Sequence, residues 1–339
     1  MPRLRQPLPG RVRLFLPFCR DSPFRSFLLS VRSGWPFSTD GAKIAARAQE
    51  TSRIVLRRRA KEKKSTSIRY GVAETIGFRE QMEDAHAIWN EEGIGFFSAE
   101  VYDGHAGSLA ARIAADTLTR YFMHPDRCEG FDCGRPSFTA EALREAYLAT
   151  DRLIVGRGTE SGAAAATFYL QGERFLAGNA GDSRIVIGEG SRAIELTVDH
   201  KPDLPEERAR IEALGGRVIA LDVPRVQGTL AMSRALGDAP LKPFVTPEPR
   251  IAEGSLGRSD DLVVIACDGV WDVLTSEEAM AKARCAPTPK EAARLLRETV
   301  LARGSTDNIT VIVLDLKPYT ARCAADRLNV SRVLDRAIE

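Results

Sequence analysis

Apolar runs of strand length in this chain lead into aspartate. Phe96-Phe97-Ser98-Ala99-Glu100-Val101-Tyr102 ends at Asp103 and Gly104-His105, and Leu262-Val263-Val264-Ile265-Ala266-Cys267 ends at Asp268 and Gly269. Asp307-Asn308 opens a third run, Ile309-Thr310-Val311-Ile312-Val313-Leu314, while Asp84 closes the polar turn Arg79-Glu80-Gln81-Met82-Glu83. Runs this rich in Val, Ile and Phe read as buried strands, so a carboxylate at a run's end stands at the rim of a sheet. Carboxylates gathered at one rim repel one another and raise each other's pKa unless a cation neutralises them. The pattern predicts one metal site built from the four aspartates.

Further strand-like runs at 68–76, 165–170, 173–178, 184–188 and 217–221 are short and separated by turn residues. Between them the spacing predicts an amphipathic helix over 105–122, with Leu109, Ile113, Leu118 and Phe122 near one face, and another over 139–154 with Leu143, Tyr147 and Ile154. Thr288-Pro289-Lys290-Glu291 reads as a capping box with Pro at the first helical position, and Gly304 as the stop of that helix. A shorter helix from Pro205 to Leu214 ends at Gly215-Gly216. Strands and helices do not alternate one for one, which disfavours a doubly wound parallel sheet and favours an α+β fold with antiparallel sheets and segregated helices.

At 339 residues and 44% hydrophobic composition the chain can hold one large domain or two ordinary ones. The net charge of +2 hides an asymmetry: residues 1–64 carry sixteen Lys/Arg against four Asp/Glu, leaving 32 basic and 42 acidic residues from position 65 onward. An acidic body suits an anion-processing enzyme only if cations are bound at the site. The basic head is expected to be disordered, with a short helix near 42–59, and it reads as a transit peptide, a basic arm or a solvated tail. Cys19 to Arg25 has the Cys-x5-Arg spacing of a tyrosine-phosphatase loop, but Pro23 interrupts it and no Gly supplies its turns. No apolar stretch approaches the roughly eighteen residues that a membrane-spanning helix needs. The six cysteines form no Cys-x-x-Cys pair and suit a reducing compartment, with Cys267 a small core residue. The loop-like stretch 123–138 contains His124, Cys128 and Cys133 but no convincing fourth zinc ligand.

Oxygen-only ligands select hard cations, so Mg²⁺ or Mn²⁺ is expected rather than zinc, iron or copper. Two such ions about 3.5 to 4 Å apart can activate a shared water for in-line attack on phosphorus. A phosphomonoester also needs a bidentate cation and a proton donor for the leaving alkoxide. Arg79 and His105 stand within a few residues of Asp84 and Asp103 and are the candidates for those two tasks.

The ordered set Gly77-Phe78-Arg79, Met82-Glu83-Asp84-Ala85-His86, Tyr102-Asp103-Gly104-His105-Ala106-Gly107, Gly181-Asp182-Ser183-Arg184, Asp199-His200-Lys201-Pro202, Ser233-Arg234-Ala235-Leu236-Gly237-Asp238, Ala266-Cys267-Asp268-Gly269-Val270-Trp271-Asp272 and Asp307-Asn308 resembles the metal-dependent Ser/Thr protein phosphatases of type 2C. The likeness runs from about Tyr70 to Leu316. It implies a four-layer sandwich of two antiparallel β-sheets flanked by α-helices, with a catalytic domain at 65–317 and a C-terminal extension at 318–339. It also implies hydrolysis of phosphoserine and phosphothreonine in a protein substrate. In that resemblance Asp103 bridges two ions beside the Gly104 carbonyl, Asp268 and Asp307 complete one shell, and Glu83 and Asp84 serve the second. Arg79 holds the phosphate, His105 is the general acid, and Asp182 with Asp268 or Asp272 matches a weaker third metal position.

Three departures stand out. Ala163-Ala164-Ala165 follows Ser161-Gly162 where hydroxyl residues are common, Ala106 replaces a common Gly, and the stretch from Asp272 to Asp307 is somewhat short. Ala106 is expected to be harmless if its φ is negative. Isolated Asp84, Asp182 and Asp199 also suit turns or caps, and His105 suits a helix cap. Arg184 and Arg234 suit either phosphate or a buried ion pair. Asp199-His200-Lys201-Pro202 and Asp238 read as structural residues bracketing a variable segment, 203–227, that could meet substrate. The competing function is a non-catalytic relative that binds a phosphoprotein, whose signature would be a lost bridging ligand; none is lost. The remaining expectations are a monomer without nucleic-acid or membrane partners. A soluble, intracellular and cytoplasmic location is expected, or a mitochondrion or plastid if the head is a transit peptide.

Overall fold

The computed structural model describes residues 68–91, 93–124 and 138–320. The basic head, the zinc-like cysteines Cys128 and Cys133, and the extension beyond residue 320 lie outside them. Two antiparallel sheets dominate. The first runs β1 (Arg69–Thr75), β13 (Ile309–Asp315), β12 (Asp260–Ala266), β6 (Arg184–Glu189), β7 (Arg192–Glu195). The second runs β11 (Arg250–Ser255), β5 (Arg174–Ala180), β4 (Gly162–Gln171), β3 (Phe96–His105), β2 (Ala85–Glu91), with the short β10 (Leu236–Gly237) also paired to β4. A separate hairpin joins β8 (Val218–Ala220) to β9 (Pro224–Val226).

The alternation of side chains explains the layering. Phe97, Ala99 and Val101 of β3 point with Phe168, Leu170, Val263, Ile265, Ile312 and Leu314 into one core between the sheets. Their neighbours Phe96 and Tyr102 point the other way, onto α1 (Leu109–Met123) and α2 (Ala140–Gly156). On the opposite outer face, Val264, Val311 and Val313 pack against α5 (Ser276–Cys285) and α6 (Pro289–Ala302). Strands buried on both faces must be apolar throughout, which is why β12 and β13 read as continuous runs. The order is helix, sheet, sheet, helix, as the sequence resemblance implied.

Two shorter helices carry residues of the site region: α3 (Pro205–Ala213) and α4 (Asp268–Trp271). The predicted helix at 105 begins only at Leu109, because β3 continues through His105. Thr288 caps α6 by accepting from Glu291 N, but the Glu291 carboxylate takes the Thr288 hydroxyl instead of its backbone, so the predicted box is half closed. A complete capping box sits at Thr275 and Glu278, ahead of a helix the apolar spacing did not reveal. Gly215 and Gly304 do end their helices, with φ of +85° and +89°.

Candidate functional site

The rims of both sheets meet at a cavity of about 1000 Å³ whose walls include Arg79, Glu83, Asp103, Gly104, His105, Asp182, Lys201, Asp268, Asp272 and Asp307. Asp103 comes from the end of β3, and Asp268 from the turn after β12, where it opens α4. Asp307 comes from the turn before β13, and its neighbour Asn308 locks the first loop in place. Asn308 Nδ2 donates to Ile76 O (2.8 Å) and Gln81 O (3.0 Å), while its Oδ1 accepts from Glu83 N at 2.8 Å. Gly104 is required where β3 passes that loop, since a Cβ would strike the Glu83 carbonyl.

Asp103, Asp182 and Asp268 offer oxygens within 4.8 Å of one another, and Asp84, Asp103 and the Cys267 sulfur form a second such group. Asp103 is common to both. Among the described residues, Asp84 Oδ1, Asp103 Oδ2 and Asp182 Oδ1 are buried without a hydrogen-bond partner. Burial, aided by the Asp307 charge, pushes Asp84 up to about 6 although Thr310 donates to its Oδ2 at 2.7 Å. Burial and the charges of Asp182 and Asp272 push Asp268 up to about 7. Asp103 lies well above the usual carboxylate range, through burial and then the charges of Asp268, Asp84 and Asp182. Buried carboxylate oxygens with no proton donor and strong mutual repulsion fit a hard divalent cation. Cys267 is the fully buried core residue expected from the sequence, and its sulfur also belongs to this group.

The remaining predicted residues, Arg79, Glu83, Asp272 and Asp307, stand outside both ligand groups. Glu83 Oε1 accepts from Gly107 N at 2.6 Å. Arg79 Nη2 lies 2.6 Å from Asp307 Oδ2, with the guanidinium side chain 56% exposed. An exposed pair of this kind is worth under about 1 kcal/mol and can exchange for a phosphate. Asp272 lines the cavity but belongs to neither ligand group.

Two cavity contacts were not legible in the chain. His105 Nε2 lies 2.8 and 2.9 Å from the Asp238 carboxylate oxygens, and its buried Nδ1 has no partner. The pairing follows from register. His105 lies opposite Gly162 on β4, Gly162 lies opposite Gly237 on β10, and Asp238 follows directly. A Cβ on Gly162 would collide with both partners. Burial alone would lower the imidazole pKa, but the hydrogen bond and charge of Asp238, with Asp182 and Glu83, outweigh it and hold His105 above its ordinary value. The second contact is Lys201 Nζ on Asp182 Oδ2 at 2.5 Å. Both Asp238 and Lys201 are expected from the sequence to be structural; Lys201 lines the cavity, and Asp238 holds the His105 that lines it.

Arg184 and Arg234 resolve as ion pairs. Arg184 binds Asp199 (2.6 Å) and Glu195 (3.0 Å) and lies over the Trp271 ring, while Arg234 binds the buried Glu207 at 2.5 Å. The three alanines lie in fully buried β4, with Ala164 opposite Asp103 and Ala163 opposite Gly104, where no hydroxyl reaches the site from their side chains. Ala106 differs from expectation: its φ is +53°, in the left-handed region. That conformation costs a non-glycine residue about 1 kcal/mol. Ala106→Gly relieves that strain and, after the entropy that glycine adds to the unfolded chain, should stabilise the fold by at most about 1 kcal/mol, read as a rise in the denaturant midpoint at unchanged slope. A fall in the midpoint would show that the turn is not strained.

Fold and rim together define a class, an α+β sandwich with a cluster of buried carboxylates that could hold metal. Residues 68–309 match the family model described as "Protein phosphatase 2C". The chain is 39% identical over 254 residues to "Probable protein phosphatase 2C 59" of Oryza sativa subsp. japonica, spanning 72% of this chain and 75% of that protein. It is equally 39% identical to "Probable protein phosphatase 2C 59" of Arabidopsis thaliana, spanning 72% and 78%. Among solved structures, a serine-threonine phosphatase 2C from Toxoplasma gondii superposes with a TM-score of 0.63 at 23% identity, over 74% of this chain and 96% of that one. The chain belongs to the protein phosphatase 2C family. It is a metal-dependent serine/threonine protein phosphatase by that membership. No helix among the described residues is long and apolar enough to cross a membrane.

Proposed function

We propose that this protein releases phosphate from phosphoserine and phosphothreonine side chains of proteins, using two hard divalent ions, Mg²⁺ or Mn²⁺, held by Asp103 together with Asp268, Asp307, Glu83, Asp84 and the Gly104 carbonyl. The observation that carries the reading is Asp103 itself, the carboxylate common to both ligand groups, with a buried oxygen that no proton donor satisfies. A metal pair, when bound, supplies an activated water and neutralises charge on the phosphoryl group.

The chain's own residues do the rest. Arg79, at the cavity mouth, leaves Asp307 to take the phosphate in a two-pronged hydrogen bond. Asp238 grips His105 Nε2, which leaves Nδ1 as the nitrogen free to deliver a proton to the departing alkoxide. Asp238 also favours the imidazolium form from which that proton comes. Tyr102, Ala163 and Ala165, fully buried behind the rim, pack the second sheet against α1 and α2.

The test compares the full chain and His105→Ala on a phosphothreonine peptide and on an aryl phosphate, with Mn²⁺ or with EDTA. Metal-dependent release by the wild type is expected, with the variant slowed about 10²-fold or more on the peptide and far less on the aryl ester, whose phenolate leaves without a proton. Equal losses on both substrates would remove the acid role from His105. Release that survives EDTA would remove the metals.

A further inference from the structure

We infer that Lys201 supplies the third cation of this site, so that its ammonium takes the place of the divalent ion expected between Asp182, Asp268 and Asp272. The oxygens of Asp182 and Asp268 would suit a further hard ion by themselves, and it is the Lys201 ammonium already seated on Asp182 that stands against one. Asp182 is 2% exposed and gives Oδ2 to Lys201 Nζ at 2.5 Å, a charge-assisted contact already made. Its other oxygen is buried without a partner, and Asp182 lies within ligand reach of Asp103 and Asp268. Lys201, Asp268 and Asp272 line the same cavity. A divalent ion entering there would have to displace the ammonium or sit beside it, against its charge.

The backbone explains how the lysine reaches this place. His200 N donates to Gly181 O at 2.9 Å, and His200 O accepts from Ser233 N at 2.8 Å. The imidazole of His200, 1% exposed, sits against Gly181 at its Nδ1. The residue after His200 is thereby delivered beside the residue after Gly181, which is Asp182. A lysine is a compact point charge on a flexible stem, suited to stand in for a small ion. One tethered charge also neutralises this side of the cavity independently of the metal concentration in solution.

The inference rests on the two-metal reading above, and one titration separates them. Binding of Mn²⁺ to the full chain is followed by electron paramagnetic resonance for wild type, Lys201→Met, Lys201→Arg and Lys201→Met/Asp272→Asn. Lys201→Gln serves as a second neutral variant should the methionine chain not fold, with circular dichroism as the check. Uptake by the wild type tests the two-metal reading. The difference between wild type and Lys201→Met tests the lysine alone. The expected result is one additional Mn²⁺ per chain in Lys201→Met, bound about tenfold or more tighter than any such ion in the wild type, because a like charge has left the site. Lys201→Arg should keep the wild-type count, and the added Asp272→Asn change should remove the gained ion. Equal counts in wild type and Lys201→Met, or a third wild-type ion at millimolar Mn²⁺, would overturn the assignment.

Discussion

Asp103→Asn is expected to reduce phosphate release about 10³-fold or more, while the metal-free protein melts no lower than the wild type. The loss follows from removing the carboxylate shared by both ligand groups. Charge stabilisation by metal is worth several kcal/mol, and about 4 kcal/mol corresponds to a thousandfold in rate. The stability part has the opposite sign. Burial and neighbouring charges hold Asp103 above the usual carboxylate range, with Asp84 at about 6 and Asp268 at about 7. Groups whose folded pKa is raised contribute stability below their unfolded pKa and lose it as pH rises through the folded value. The metal-free wild type should therefore melt lower at pH 8 than at pH 5, and Mn²⁺ should stabilise it most at pH 8. An asparagine at 103 removes one of the repelling charges and should narrow that gap. Thermal melts across pH, with and without Mn²⁺, measure both effects. Wild-type turnover by the variant, or a collapse of its metal-free fold, would contradict this account of the rim.

Glu207→Ala should have the largest effect on stability, about 3 kcal/mol or more. Glu207 is 1% exposed on α3 and accepts from Arg234 Nε (2.9 Å), Arg210 Nη2 (2.9 Å) and Ser233 Oγ (2.7 Å). Truncation strands two guanidinium groups that are themselves mostly buried, which is the costly way to break an ion pair. Burial alone would raise the Glu207 pKa, but hydrogen bonds from Arg234, Ser233 and Arg210 outweigh it and lower it to about 2. The stabilisation is thus fully present above the ordinary glutamate range and lost as pH falls from about 4.5 toward about 2. Wild type and variant should differ in denaturant midpoint at pH 7 and converge in acid. A difference that persisted at pH 2 would mean that packing, and not charge, carries the effect. Because Val223, Arg225 and Leu230 of the following segment line the cavity, the variant should also lose kcat/KM on peptides more than on a small aryl phosphate.

The aspartates were legible because three of them border apolar runs long enough to be strands, and a strand's end fixes where its next side chain stands. β2 is not legible in the sequence, since Ala85–Glu91 is only half-buried and carries no clear run of branched residues. α5 is hidden because its buried apolar positions are alanines and one methionine, and only the Thr275–Glu278 cap marks it in the sequence. Asp238 and His105 are 133 residues apart in the chain, and only the β3-β4-β10 register brings them together. Lys201 is brought to Asp182 by the bonds of His200 to Gly181, which no periodicity encodes. Ala106 shows the converse limit: it falls within the helix expected from 105, but the sign of its φ depends on the path from β3 to α1.

The pairing of β1 with β13 sets Arg69 opposite Asp315, residues 246 positions apart. The loop that carries Arg79 and Glu83 is clamped by Asn308, at the start of that final strand. During synthesis the early loop therefore has no clamp, and the shared rim lacks Asp307, until nearly the whole domain has left the ribosome. Contacts so distant in sequence form slowly. A ribosome-bound chain stopped before Asn308 should neither bind metal nor release phosphate, so this enzyme becomes active only once its whole catalytic domain has been made.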